Sequence, residues 1–216
     1  MRALDDQLFT AAEGGDAAAV VRLAGEGASA DAKQYGEPAV LVAANDGHTE
    51  AVEALLRLGC DPNAPDRGGN TALMWAARWG RGGIVGALLE HGGAELDAAD
   101  NDGVTALMGV ALKGQAAVAA QLVEAGADAT LRATGGDEWE GKTALEIAEA
   151  RGHAEVAALL RQLAEEPEPE PEPEVEPEPE PRQATAEQPQ GSAQAESEAA
   201  RAARAARQPR PRAFLP

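Results

Sequence analysis

Apolar residues recur along most of the chain in short, in-phase bursts, each closed by a glycine. PAVLVAANDG, TALMWAARWG, TALMGVALKG and TALEIAEARG place alanine and leucine at helical spacing before that stop. A second burst follows and ends in an apolar doublet: Leu55 with Leu56, Leu88 with Leu89, Leu122 with Val123, Leu159 with Leu160. This doublet is the buried stripe of a second short helix. The turn glycines Gly15, Gly47, Gly80, Gly114 and Gly152 are separated by 32, 33, 34 and 38 residues. In the first four copies another glycine follows 12 residues later, at Gly27, Gly59, Gly92 and Gly126. The predicted unit is helix, glycine turn, helix, glycine stop, repeated at a fixed period.

Local chemistry supports that unit. Thr71, Thr105 and Thr143 stand where a hydroxyl can cap the first helix. The alanine pairs Ala11 and Ala12, Ala43 and Ala44, and Ala76 and Ala77 let the two helices approach closely. Helices shorter than about 12 residues rarely persist alone in water, so stacking must supply the stability. The exits GCDPNAPDRGGNT, GGAELDAADNDGVT and GADATLRATGGDEWEGKT are polar, and Asp100-Asn101-Asp102-Gly103 is a hairpin-turn signal. The first unit shows no clear hairpin. Asp5, Asp6 and Gln7 at one end and Glu155, Arg161 and Gln162 at the other fit solvent-facing caps around three central copies.

These features in phase resemble the ankyrin-repeat family, whose unit carries a Thr-Pro-Leu-His start, an alanine pair, a Gly-His turn, a leucine pair and a Gly-Ala-Asp-x-Asn-Ala exit. The stretches AANDGHTEAVEALLRLGCDPNA and TALEIAEARGHAEVAALL carry the likeness, which covers residues 1 to 164. The resemblance implies an all-α solenoid of helix-turn-helix repeats with short β-hairpin fingers. Five units are expected, at 1–32, 33–64, 65–98, 99–130 and 131–164. The chain departs from the family at Ala72, Ala106 and Ala144, where proline is usual, and at Met74, Met108 and Glu146, where histidine is usual. The loss of the Thr to His hydrogen bond predicts a somewhat less stable stack, not a different fold.

Charge and cysteine content narrow the function classes. The net charge is −19, with −6 carried by residues 165–216 and −13 by the rest. That excess of carboxylates argues against nucleic acid and anionic lipid as partners. A single cysteine, Cys60, allows no internal disulfide, and no window has the ~20 apolar residues of a membrane span. We expect a cytoplasmic protein, with the nucleus as a lesser alternative, that does not insert into membranes and is monomeric.

No catalytic motif and no cofactor-binding motif is legible. His48 and His153 follow turn glycines and read as structural, and His91 stands apart, so no metal site is expected. Cys60 takes an alanine-sized position and reads as a small buried residue.

In proteins that the chain resembles, partners bind across the hairpin tips and the exposed side of each first helix. On this sequence the resemblance places Gln34, Tyr35, Glu37, Asn45, Asp46, Arg67, Asn70, Arg78, Trp79, Asn101, Asp102, Val104, Leu112, Lys113, Lys142 and Arg151 on that face, with Trp139 in the lengthened last hairpin. Trp75 lies in an apolar stripe and reads as core. Trp79 has two readings: a partner contact, or packing on a neighbouring hairpin.

From residue 165 to 181 glutamate and proline alternate, which predicts an extended polyproline-II spacer of roughly 50 Å. Residues 182–216 read as a disordered tail with a short Arg-rich helix over 198–207. The leading expectation is a non-enzymatic adaptor that holds a partner protein in the groove. The alternative places function in the Arg-rich segment, contacting nucleic acid or an acidic surface.

Overall fold

Short apolar helices that cannot stand alone must share a core with their neighbours, and this is how the chain is built. The computed structural model describes residues 2–91, 93–135 and 138–165. Ten helices among them form five antiparallel pairs: α1 (Arg2–Glu13) with α2 (Ala17–Gly25), α3 (Ala39–Asp46) with α4 (Thr49–Arg57), α5 (Ala72–Arg78) with α6 (Gly82–His91), α7 (Ala106–Lys113) with α8 (Ala116–Glu124), and α9 (Ala144–Arg151) with α10 (Ala154–Glu165). The first helices α1, α3, α5, α7 and α9 pack side by side in one layer, and the second helices in another. Each pair touches the next, so the fold is the expected helix-pair solenoid.

One continuous core runs through the stack. Leu8, Leu55, Leu73, Leu88, Leu107, Leu122, Ile147 and Leu160 are fully buried within it. Alanine fills the tighter contacts, with Ala43, Ala44, Ala76, Ala77, Ala111 and Ala148 all inaccessible to solvent. Small residues at these points let adjacent helices approach closely.

The threonine caps form. The hydroxyls of Thr71, Thr105 and Thr143 accept from the backbone N–H groups of Met74, Met108 and Glu146. Glu146 also returns a bond, its carboxylate accepting from the Thr143 N–H at 2.8 Å. A glutamate in the usual histidine place thus makes a capping box, and the expected loss at this unit is compensated.

The finger loops differ from expectation in one place. The segment after the first unit, read as lacking a hairpin, forms a true antiparallel pair, β1 (Lys33–Gln34) with β2 (Glu37–Pro38). Tyr35 and Gly36 turn it with φ of 55° and 88°, the paired positive values of a type I′ turn. Tyrosine is not a usual residue there, which hid the signal. The later loops are closed more sparsely. The Asp66 N–H donates to the Asn70 carbonyl and the Asp100 N–H to the Val104 carbonyl, with an isolated bridge between Ala99 and Thr105.

Units are also stitched by side chains. Asp31, Asn63 and Asp97 each accept the backbone N–H of a residue in the following unit, Asp61, Glu95 and Asp128, at 2.7 to 2.9 Å. Among the described residues no helix is long and apolar enough to cross a membrane. The Glu-Pro spacer beyond residue 165, the tail and the Arg-rich helix lie outside the described residues.

Candidate partner-binding face

The shortest first helix exposes the most chemistry. In α5, Ala72, Leu73, Met74, Ala76 and Ala77 are buried, which leaves Trp75 and Arg78 on the remaining face, one turn apart. Trp75, read as core from its apolar neighbourhood, lies at the edge of the core, packed against it but partly exposed. It is half-buried, and its Nε1 donates to Asp66 Oδ2 at 3.1 Å. The Arg78 guanidinium carbon lies 5.6 Å from the centre of the Trp75 ring.

Aspartates shape the loops beside it. Asp66 Oδ1 accepts from the N–H groups of Gly68 and Asn70 at 2.8 and 2.9 Å, and Asp100 Oδ1 accepts from those of Asp102 and Val104 at 2.9 Å. The loops then interlock. Asn101 donates its backbone N–H to the Gly68 carbonyl at 2.9 Å and its amide to the Arg67 carbonyl at 3.2 Å. The Asp102 carbonyl in turn accepts from Thr134 and Gly135.

This interlocking borders a half-open cavity of about 360 Å³, lined by Asn70, Trp75, Arg78, Asp100, Asp102 and Trp139 among others. Val104 and Leu112 add apolar wall. The size suits one or two side chains of a ligand.

A second row runs along the C-terminal ends of the first helices. Trp79 ends α5, stays 46% exposed, and donates from Nε1 to Asn45 Oδ1 of the preceding unit at 2.9 Å. The Lys113 ammonium of the following unit stands 5.4 Å from its ring centre. Three units are linked through one tryptophan. Asn45 also donates to the exposed Asp46. In the last unit Lys142 and Arg151 lie 5.1 and 4.6 Å from the centre of the Trp139 ring, and Arg151 reaches Glu138 at 3.4 Å.

The structure thus sorts the sequence candidates. Asn70, Arg78, Asp102 and Trp139 meet around the cavity, Arg67 and Asn101 lock the loop tips, and Asn45, Trp79 and Lys113 form the helix-end row. Tyr35 stands apart at the tip of the β1–β2 turn, 79% exposed, with Arg67 lying across Gly36. Sequence reading missed Trp75, Asp66 and Asp100. The signal for Trp75 lay in its helix: once every neighbour is small or aliphatic and buried, position 75 is what remains to face outward.

Two of the three histidines have packing roles, and His91 is exposed at the end of α6. His48 and His153 sit against Gly15 and Gly114 of the preceding units, where a Cβ would lie 2.6 and 2.5 Å from their Nδ1 atoms. His153 Nε2 is also 3.3 Å from the Leu112 carbonyl. Cys60 is buried, and burial, together with Asp31 and Asp61, pushes its thiol up to about 12, so it stays protonated at neutral pH.

Comparison with known proteins agrees with the repeat architecture. Residues 8–100 match the family model for ankyrin repeats in three copies. The ankyrin repeat domain-containing protein 63 of Homo sapiens is 38% identical over 52 residues, which is 24% of this chain and 14% of that protein. Its counterpart of the same name from Mus musculus is also 38% identical over 52 residues and is covered to 13%. The chain thus matches only about a seventh of the length of these relatives.

Proposed function

We propose that this chain, whose residues 8–100 match ankyrin repeats, a family whose members generally mediate protein-protein interactions, is a non-enzymatic adaptor holding a partner protein against the loops and first helices of its third to fifth units. The observation that carries this reading is the cavity of about 360 Å³ bounded by Trp75 and Trp139. Large aromatic rings beside arginine form the kind of site where a few residues supply most of the binding energy. Both rings are half-buried, so their geometry is set before a partner arrives and little ordering cost remains.

Substitution tests it. Trp75→Ala with Trp139→Ala should weaken capture of the partner by about 2 kcal/mol or more, roughly thirtyfold, while the helical circular dichroism signal persists. Adding Arg78→Ala and Trp79→Ala extends the test to the helix-end row. An unchanged set of co-purifying proteins with these variants overturns the reading.

A further inference from the structure

The cations of the described residues differ in what holds them. Arg22, Arg57, Arg132 and Arg161 pair with Glu26, Glu53, Glu146 and Glu149 at 2.5 to 3.1 Å. Arg78 and Lys113 have no carboxylate oxygen within 4.0 Å among the described residues, and each lies over a tryptophan ring instead. Lys142 rests on Trp139 in the same way. A ring beneath a guanidinium takes its flat face and leaves the N–H edge free to donate.

The carboxylates nearby are already engaged. Asp66 accepts from two backbone N–H groups, the Asn70 amide and the Trp75 indole, and Asp100 accepts from two backbone N–H groups. Only Asp102, among the acids lining the cavity, makes no side-chain bond with the described residues. Asp102 apart, the face therefore holds unspent donors beside acceptors that already carry bonds. A ligand that covers it must bring acceptors, since a buried cation left without a partner is costly.

We propose that this face receives an extended acidic segment of a partner protein, whose carboxylates pair with Arg78, Lys113 and Lys142 and whose apolar residue enters the cavity between Trp75 and Trp139. The proposal rests on the adaptor reading above and gives its partner a chemistry. A basic segment would set like charges against Arg78 and Lys113, and a neutral one would leave both unpaired under a dry interface. Charges of the chain more than about 8 Å away are largely screened at physiological salt, so the repulsion the segment must outweigh is that of Asp100 and Asp102 in the pocket lining.

The test is a fluorescence-polarisation titration of the full chain with a labelled synthetic peptide alternating Glu with Leu and Pro, beside matched peptides carrying Gln or Lys for Glu. It is run on the chain as it stands and with Gln at every Glu of residues 165–180, so that the chain's own acidic run does not compete. The Glu peptide should bind about tenfold tighter than the Gln peptide. Arg78→Gln with Lys113→Gln should remove that advantage at an unchanged melting temperature, and Asp102→Asn should tighten the Glu peptide severalfold.

Equal or tighter binding of the Gln or Lys peptide, binding of none of them, or indifference to Arg78→Gln with Lys113→Gln overturns the proposal. If a co-purifying partner is lost from the Trp75→Ala, Trp139→Ala chain while no peptide binds, the acidic chemistry fails and the adaptor reading stands. If those tryptophan variants lose nothing, the adaptor reading itself fails.

Discussion

At the scale of single residues, a turn glycine answers to two demands that can be separated. Gly114 and Gly152 have nearly the same backbone, with φ of 71° and 75°. A Cβ on Gly114 would stand 2.5 Å from His153 Nδ1, whereas one on Gly152 meets no described atom within 4 Å. Gly152→Ala should therefore cost about 1 kcal/mol, the strain of a left-handed alanine, and Gly114→Ala should cost about 1 to 2 kcal/mol more. Denaturant titration of the two variants checks the difference.

Glu146 offers a pH test at the same scale. The Thr143 N–H holds its carboxyl below the ordinary value of 4.5, with Arg132 adding to the effect. A lowered folded value means the contribution is complete above the unfolded pKa and is lost as pH falls through the folded one. Glu146→Gln should thus melt earlier at neutral pH and lose less on acidification from about pH 5 to about pH 3.

At the scale of the element, caps and loop closures decide how firmly each unit is set. The Thr105 hydroxyl is buried and accepts from the Met108 N–H, so Thr105→Ala should cost about 1 kcal/mol. Asp100→Ala removes the acceptor for both the Asp102 and Val104 N–H groups. It should cost about 1 to 2 kcal/mol and loosen one wall of the cavity, seen as faster amide exchange over 100–104. The threonine caps were legible because capping uses residues three apart in the chain. The β1–β2 hairpin was not, since Tyr35 holds a positive φ that its residue type does not announce. Trp75 misled for a related reason: apolar character marks a stripe, but the covering of the other α5 faces by neighbouring units decides which member of it is left outside.

At the scale of the whole molecule, stability passes from unit to unit through nearest-neighbour contacts. The bonds from Asp31 to Asp61, Asn63 to Glu95 and Asp97 to Asp128 lie at three successive junctions. Removing them singly, as in Asp97→Ala, should cost about 1 kcal/mol each, and the three together should add, because the sites are well separated. Equilibrium denaturation of the single and triple variants measures both values. The same junctions build the candidate face. Asn45, Trp79 and Lys113 come from three different first helices, and the cavity draws on three units.

The helix pairs, their turns and their number follow from contiguous residues alone, because a 3.6-residue apolar period, a capping threonine and a stopping glycine all act within one or two turns of chain. Residues 143–152 carry all three, and α9 forms with its Thr143 cap as that pattern implies, the bond returned by Glu146 being the addition. The candidate face does not follow in this way. Whether Trp75 lines a cavity, whether Trp79 bonds to Asn45 and whether His153 closes over Gly114 depend on how far one unit is offset from the next. That offset is set by the fit of alanine and leucine side chains between neighbouring helices, residues more than 30 apart in sequence, and only the packed stack determines it.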